Sequence, residues 1–341
     1  MLWAGSGLAA DDDSPNRKPV KAVGDQRLVV RTAAGVGELV LYASQPLNEA
    51  SAQTDIERAV LVFHGRQRNA EGYWLATRKA ARAAGDAGRH SLLIAPQFLA
   101  ERDVKAHGLS AQTLRWSPTD WTAGSAALGP AAISPYETID ALLSMLADRQ
   151  RFPRLKQVVI AGHSGGGQVV QRYAVVGQGE SQLAAVGVKV RYVVANPSSY
   201  LYFSDERPRP NGTFAAPAPA PCPTFNRWKF GWESAPPYAQ STTPAAYESR
   251  FLKRDVVYLL GAADTDPNHP ALDKSCGAEA QGAHRLVRGH NYLAYLRRRH
   301  PDLAPTAHDV PGVGHDGDRM LNSACALAAL FDDPQAAAGC R

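Results

Sequence analysis

Residues 157 to 176, Gln-Val-Val-Ile-Ala-Gly-His-Ser-Gly-Gly-Gly-Gln-Val-Val-Gln-Arg-Tyr-Ala-Val-Val, limit what this chain can fold into more than any other stretch. Val158 to Ala161 is short and wholly apolar, which suits a strand buried on both faces of a parallel sheet. After the glycines, Val169, Val170, Tyr173 and Val176 recur at helical spacing. Between strand and helix stands Gly162-His163-Ser164-Gly165-Gly166, a G-x-S-x-G match in the strand-turn-helix context that motif requires. Such a turn forces its central residue into an unfavourable backbone conformation, so the neighbours must lack bulk. Gly162 and Gly166 leave room for the chain to double back, and Gly167 lets the helix approach the sheet. Ser164 is then presented at a helix N-terminus, where unpaired N–H groups favour developing negative charge. A phosphate-binding loop is the competing reading, but the spacing fits neither G-x-x-x-x-G-K-[ST] nor G-x-G-x-x-G.

The remaining pattern alternates strands with helices. Arg27–Thr32 and Glu38–Ala43 read as an antiparallel opening pair turning at Gly35-Val36-Gly37. Further strands are expected at Arg58–Phe63, Ser91–Ala95, Val188–Ala195, Asp255–Leu260 and Ala307–Val310. Helices are expected at Tyr73–Ala84, from Pro135 through Gln150 with a Ser134/Glu137 capping box, at 281–299, and at the close to Phe331. Residues 100 to 134 read as a long loop facing the site. This order predicts one α/β domain with a mostly parallel eight-stranded sheet, its core at 27–200 and 251–341. Residues 201–250, rich in Pro and aromatics, interrupt it after the sixth strand as a cap over the pocket or a solvated excursion. Residues 1–26 form an N-terminal extension.

Three strand ends carry Ser164, then Asp264 in Gly261-Ala262-Ala263-Asp264, then His315 in Gly314-His315. Serine needs a base to take its proton during attack, and histidine has the pKa to do so. A carboxylate must orient that histidine; Asp264 lies just past the strand, while Asp266 precedes Pro267 and reads as turn-forming. An oxyanion hole requires two backbone N–H groups, expected from Gly165 and from Arg66 or Gln67 after His64-Gly65. His64, Trp116, Trp121, Tyr200 and Trp228 are candidates for the substrate pocket, with Tyr202, Phe203 and Trp232 nearby. For these aromatics the competing role is packing of the insertion onto the core. His163 is the variable residue of the turn, and His269, His284, His290 and His300 read as surface polar residues.

With these motifs in this order, the chain resembles the α/β-hydrolase superfamily from about Arg27 to Phe331. Within it, the G-H-S-G-G-G turn and the Asn196-Pro197-Ser198-Ser199-Tyr200 stretch are similar to little-characterised bacterial and fungal serine hydrolases. The resemblance implies a carboxylic-ester hydrolase acting through an acyl-enzyme on a small-molecule or polymeric acyl substrate. Amidase, peptidase, thioesterase, acyltransferase and polyester depolymerase chemistry share that intermediate. A non-catalytic binding protein on the same fold would be expected to lack part of the Ser/Asp/His set. The chemistry calls for no organic cofactor and no metal.

Composition adds exclusions. The net charge of +5 comes from scattered residues, and Arg297-Arg298-Arg299 falls at a helix end, where the dipole favours cations. With no binding motif beside it, a nucleic-acid partner is not expected. No apolar run is long enough for a membrane span. Four cysteines fit two disulfides in an oxidising compartment; of three possible connectivities, proximity in sequence favours Cys325–Cys340, leaving Cys222–Cys276. Leu2–Ala10, small and apolar, resembles the end of an export signal, so a secreted or periplasmic location is expected.

Overall fold

The computed structural model describes residues 15–49, 51–218 and 222–340, so the export-signal expectation at Leu2–Ala10 lies outside the described residues. Eight strands form one sheet: β1 (Gln26–Thr32), β2 (Gly35–Ala43), β3 (Arg58–Phe63), β4 (Ser91–Gln97), β5 (Gln157–His163), β6 (Lys189–Ala195), β9 (Asp255–Gly261) and β10 (Thr306–Val310). A two-stranded hairpin, β7 (Arg207–Pro208) with β8 (Phe214–Ala215), lies apart. The order across the main sheet is β1-β2-β4-β3-β5-β6-β9-β10. β2 runs antiparallel to both β1 and β4, and every other neighbouring pair is parallel.

Apolar residues alternate between two cores, as the period of a doubly covered strand demands. Leu61, Phe63, Val158, Ile160, Val194 and Leu260 face one core, which the helices Pro135–Leu146, Gly165–Val176 and Arg285–Arg299 cover. Val60, Val62, Val159, Ala161, Val193 and Leu259 face the other, beneath helices Ala70–Ala83 and Ala324–Phe331. Because the central strands are parallel, the loops after β3, β5, β9 and β10 emerge at one end of the sheet. That shared end is where the site forms.

The expected turn at Gly35-Val36-Gly37 is corrected: β2 begins at Gly35, paired with Thr32, and the chain reverses over Ala33-Ala34. Residues 100–134 are not one loop, since Glu101–Ala106 is helical and Asp120–Ala123 forms a 3-10 turn. The Ser134 cap is present as expected: Ser134 Oγ accepts from Glu137 N–H (3.2 Å), and Glu137 Oε2 accepts from Ser134 N–H (2.7 Å). Both disulfides pair as expected, Cys222 with Cys276 and Cys325 with Cys340. Phe203, Tyr247 and Phe251 are buried in the first core, so the segment between β6 and β9 is packed onto the domain by its aromatics. No helix among the described residues is long and apolar enough to cross a membrane.

Candidate active site

The turn after β5 has the strained geometry its glycines imply. Ser164 has φ 57° and ψ −114°, a combination costing on the order of 1–3 kcal/mol unless the surroundings impose it. They do: a Cβ on Gly166 would lie 2.0 Å from the Phe63 carbonyl oxygen, and one on Gly162 would lie 2.4 Å from the Gly166 backbone. Close approach of helix to sheet therefore forces the chain to double back at Ser164. Its N–H is held by the Ala195 carbonyl at 3.0 Å.

The three strand-end residues converge. Ser164 Oγ lies 2.9 Å from His315 Nε2, and His315 Nδ1 lies 2.8 Å from Asp264 Oδ2. The carboxylate accepts from Nδ1–H, so Nε2 is left to accept from the serine hydroxyl. Asp266 stays in the turn, where its Oδ1 accepts from Asn268 N–H (2.8 Å). Arg285, a residue sequence reasoning did not reach, donates from Nη1 to Asp264 Oδ1 (3.1 Å) and from Nε to Ser198 Oγ (3.0 Å). Burial pushes the Asp264 carboxyl up, but the hydrogen bonds and charges of His315 and Arg285 outweigh it and hold the group below its ordinary value. Burial and the Arg285 charge push His315 below the usual histidine value, against the opposing pull of Asp264. The imidazole is therefore neutral, and able to accept a proton, at neutral pH.

Asn196, the first residue of the Asn-Pro-Ser-Ser-Tyr stretch, joins the loops that carry Asp264 and His315. Its Oδ1 accepts from Gly261 N–H at 2.7 Å and its Nδ2 donates to the Gly314 carbonyl at 3.1 Å. The His315 ring sits between two others: His163, with centroids 4.8 Å apart, and His269, edge-on at 5.0 Å. His163 Nδ1 is hydrogen-bonded to the Tyr73 hydroxyl (3.0 Å), and burial with the His315 charge pushes its pKa far down. His269 is thus part of the site and not the surface residue its sequence context suggests.

The loop after β3 is fixed from beneath. His64 Nε2 accepts from Phe98 N–H (2.9 Å), which leaves Nδ1–H to donate to the Gly65 carbonyl (2.8 Å). Burial lowers its pKa to about 4, so it is a neutral brace. Arg68, at φ 60°, donates to the fully buried Asp103 at 2.6 Å. These ties bring the Arg66 backbone nitrogen to 3.0 Å from where a Cβ on Gly165 would stand. The N–H groups of Arg66, Gln67 and Gly165 have no acceptor among the described residues.

A cleft of about 550 Å³ opens over Ser164, lined by Gly65, Arg66, Gln67, Tyr73, His163 and His269 among others. The expected pocket residues are elsewhere. His64, Trp116, Trp121 and Tyr200 are buried in the interior, and Trp228 donates its Nε1–H to the Ala123 carbonyl (2.6 Å) while packing on the core. Trp116 and Trp121 likewise satisfy their indole N–H groups internally, on the carbonyls of Ile133 and Pro118. Among the described residues, none from 201–250 lines the cleft. The aromatics pack the insertion down instead of forming a substrate wall.

Strand order, the sharp turn after β5 and the placement of the three strand-end loops define the α/β-hydrolase fold, and this chain has that fold. Among solved structures it is similar to poly(aspartic acid) hydrolase-1 from Sphingomonas sp. KT-1, with 23% identity, a TM-score of 0.59, and coverage of 92% of this chain and 99% of that one. It is also similar to LpqC, a poly(3-hydroxybutyrate) depolymerase from Bordetella parapertussis, at 22% identity and a TM-score of 0.58, covering 91% of each chain. No protein-family model and no curated protein matches the sequence.

Proposed function

We propose that this protein is a serine hydrolase that cleaves carboxylic esters through an acyl-enzyme. The observation that carries this reading is the continuous chain from Ser164 Oγ through His315 to Asp264, at 2.9 and 2.8 Å. Ser164 attacks the acyl carbonyl while His315 Nε2 takes its proton, and Asp264 holds Nδ1–H and stabilises the imidazolium that results. The oxyanion accepts from the N–H groups of Gly165 and Arg66, whose positions are fixed before substrate arrives. His315 then returns its proton to the leaving oxygen, and water, activated by the same imidazole, releases the acid and restores Ser164. Turnover of p-nitrophenyl butyrate that disappears in Ser164→Ala tests the reading; a variant as active as the parent would refute it.

The same intermediate serves amides and thioesters, and a substrate panel with the Ser164→Ala control separates them. A polymeric substrate is favoured by the names of the two solved structures above, but not by the aromatics, which are buried. Product release from a polyester film, compared with a soluble ester, decides that point. The two disulfides support a secreted or periplasmic location.

A further inference from the structure

The cleft over Ser164 is biased in charge. Among the lining side chains Arg66 is the permanently charged one, and among the described residues the lining holds no carboxylate. Asp264 lies behind His315, and its charge is already engaged by His315 and Arg285. Arg66 itself has no acidic partner among the described residues. Its Nη2 donates only to the side-chain oxygen of Asn16 (3.1 Å), while the Asn16 amide nitrogen donates back to the Arg66 carbonyl (3.0 Å). Its Nε is buried and without an acceptor. The neighbouring cations within electrostatic reach, Lys229 and Arg285, are matched by Asp273 and Asp264. Among the described residues, then, no acid neutralises the Arg66 guanidinium at the rim of the site. Its stem is close to the reacting centre too, because a Cβ on Gly165 would be 3.2 Å from Arg66 Cγ.

A guanidinium with spare donors, half-buried beside a site with no competing acid, is suited to a planar anion. We infer that Arg66 selects substrates that carry a carboxylate near the scissile acyl group. This rests on the serine-hydrolase reading and names the substrate class of that site. Arg66 then has two separable parts: its backbone N–H faces the oxyanion, and its side chain reads the substrate's charge. A hydrogen bond to a charged group contributes about 1.5–3 kcal/mol, equivalent to about tenfold to a hundredfold in preference.

The test is kcat/KM for monomethyl glutarate against methyl valerate, which is similar in length but neutral, and for an ester with its carboxylate on the alcohol side, acetoxyacetate, against ethyl acetate. The parent, Arg66→Gln and Arg66→Lys are compared by pH-stat at low and high salt. The expected result is a preference of tenfold or more for at least one acid over its neutral match in the parent. That preference should shrink with salt and fall at least tenfold in Arg66→Gln, with Arg66→Lys between the two. No preference in the parent on either side, or a preference unchanged in Arg66→Gln, would overturn the inference. If Arg66→Gln does not fold, the parent's preference and its salt dependence decide alone. Turnover of the neutral esters, and its loss in Ser164→Ala, tests the underlying reading separately.

Discussion

The guanidinium of Arg285 donates to Asp264 through the carboxylate oxygen that His315 leaves free, at 3.1 Å. Both side chains are almost wholly buried, so a fixed positive charge stands behind the proposed acid. The same charge also acts directly on His315, where it disfavours protonation against the pull of Asp264.

A pH dependence follows. His315 must be neutral to accept a proton, so activity is present above its pKa and lost as pH falls through it. With that pKa held below the ordinary histidine value by burial and Arg285, the acid limb of kcat/KM should lie below pH 6.5. In Arg285→Gln the repelling charge is gone, and the limb should move to higher pH. The measurement is kcat/KM against pH for both proteins; an unmoved limb would remove Arg285 from the tuning of the base. The variant should also unfold more easily, by about 3–5 kcal/mol, because Asp264 keeps a buried charge with less compensation.

Asn196→Ala should separate positioning from chemistry. The substitution cuts both the Gly261 and Gly314 ties, so the loops that carry the proposed acid and base lose their common anchor. A misplacement of about 1 Å can cost roughly a hundredfold in rate. The expected outcome is a fall in kcat of about ten- to a hundredfold, with KM much less changed, read by steady-state kinetics. Unchanged kcat would mean the loops are held by the sheet alone.

Arg68→Met should be among the most destabilising single changes. It strands Asp103, which also accepts from Ala100 N–H (2.7 Å) and Val20 N–H (2.9 Å), without its cation. A loss of about 3–5 kcal/mol in urea unfolding is expected. The loop that carries Arg66, the proposed oxyanion donor, loses its brace at the same time. Double replacement, Arg68→Met with Asp103→Leu, should recover part of the stability, since a buried ion pair is a poor net stabiliser when an apolar pair can fill its space.

The Cys222–Cys276 bond spans 54 residues and Cys325–Cys340 spans 15. Chain-entropy arguments give losses of about 4 and about 3 kcal/mol for their respective double serine variants. Only the first ties the insertion to the segment that carries His269. Its removal should therefore lower activity as well as the unfolding midpoint, whereas removal of the second should lower the midpoint alone.

Much of the site is legible in the residues because its chemistry forces local pattern. The strained turn needs glycines beside Ser164, and the acid and base must follow strands that parallel pairing brings to one end. What escapes such reading is set by tertiary packing. Trp116 and Trp121 flank Ser117-Pro118, which marks a loop, yet nothing local says that the loop folds inward and buries them. Fully buried arginines are rare, and nothing in the local sequence marks Arg68, Arg172, Arg285 and Arg288 as interior. Acceptors far off in sequence, as Asp103 is from Arg68 and Asp264 from Arg285, leave no periodicity that records them. His269 shows the same limit: a polar loop context conceals a ring set edge-on against His315. The opening hairpin turns at Ala33-Ala34, and Gly35, at φ 128°, is the first residue of the second strand.

The central claim is that Ser164 is the nucleophile and His315 its base. Intact-protein and peptide mass spectrometry after reaction with a fluorophosphonate tests it most directly, alongside His315→Ala and Ser164→Ala. The expected result is one adduct on the parent, mapped to Ser164, with labelling of His315→Ala slowed on the order of 10⁴-fold or more and none on Ser164→Ala. An adduct on another residue, or equal labelling of folded parent and His315→Ala, would contradict it.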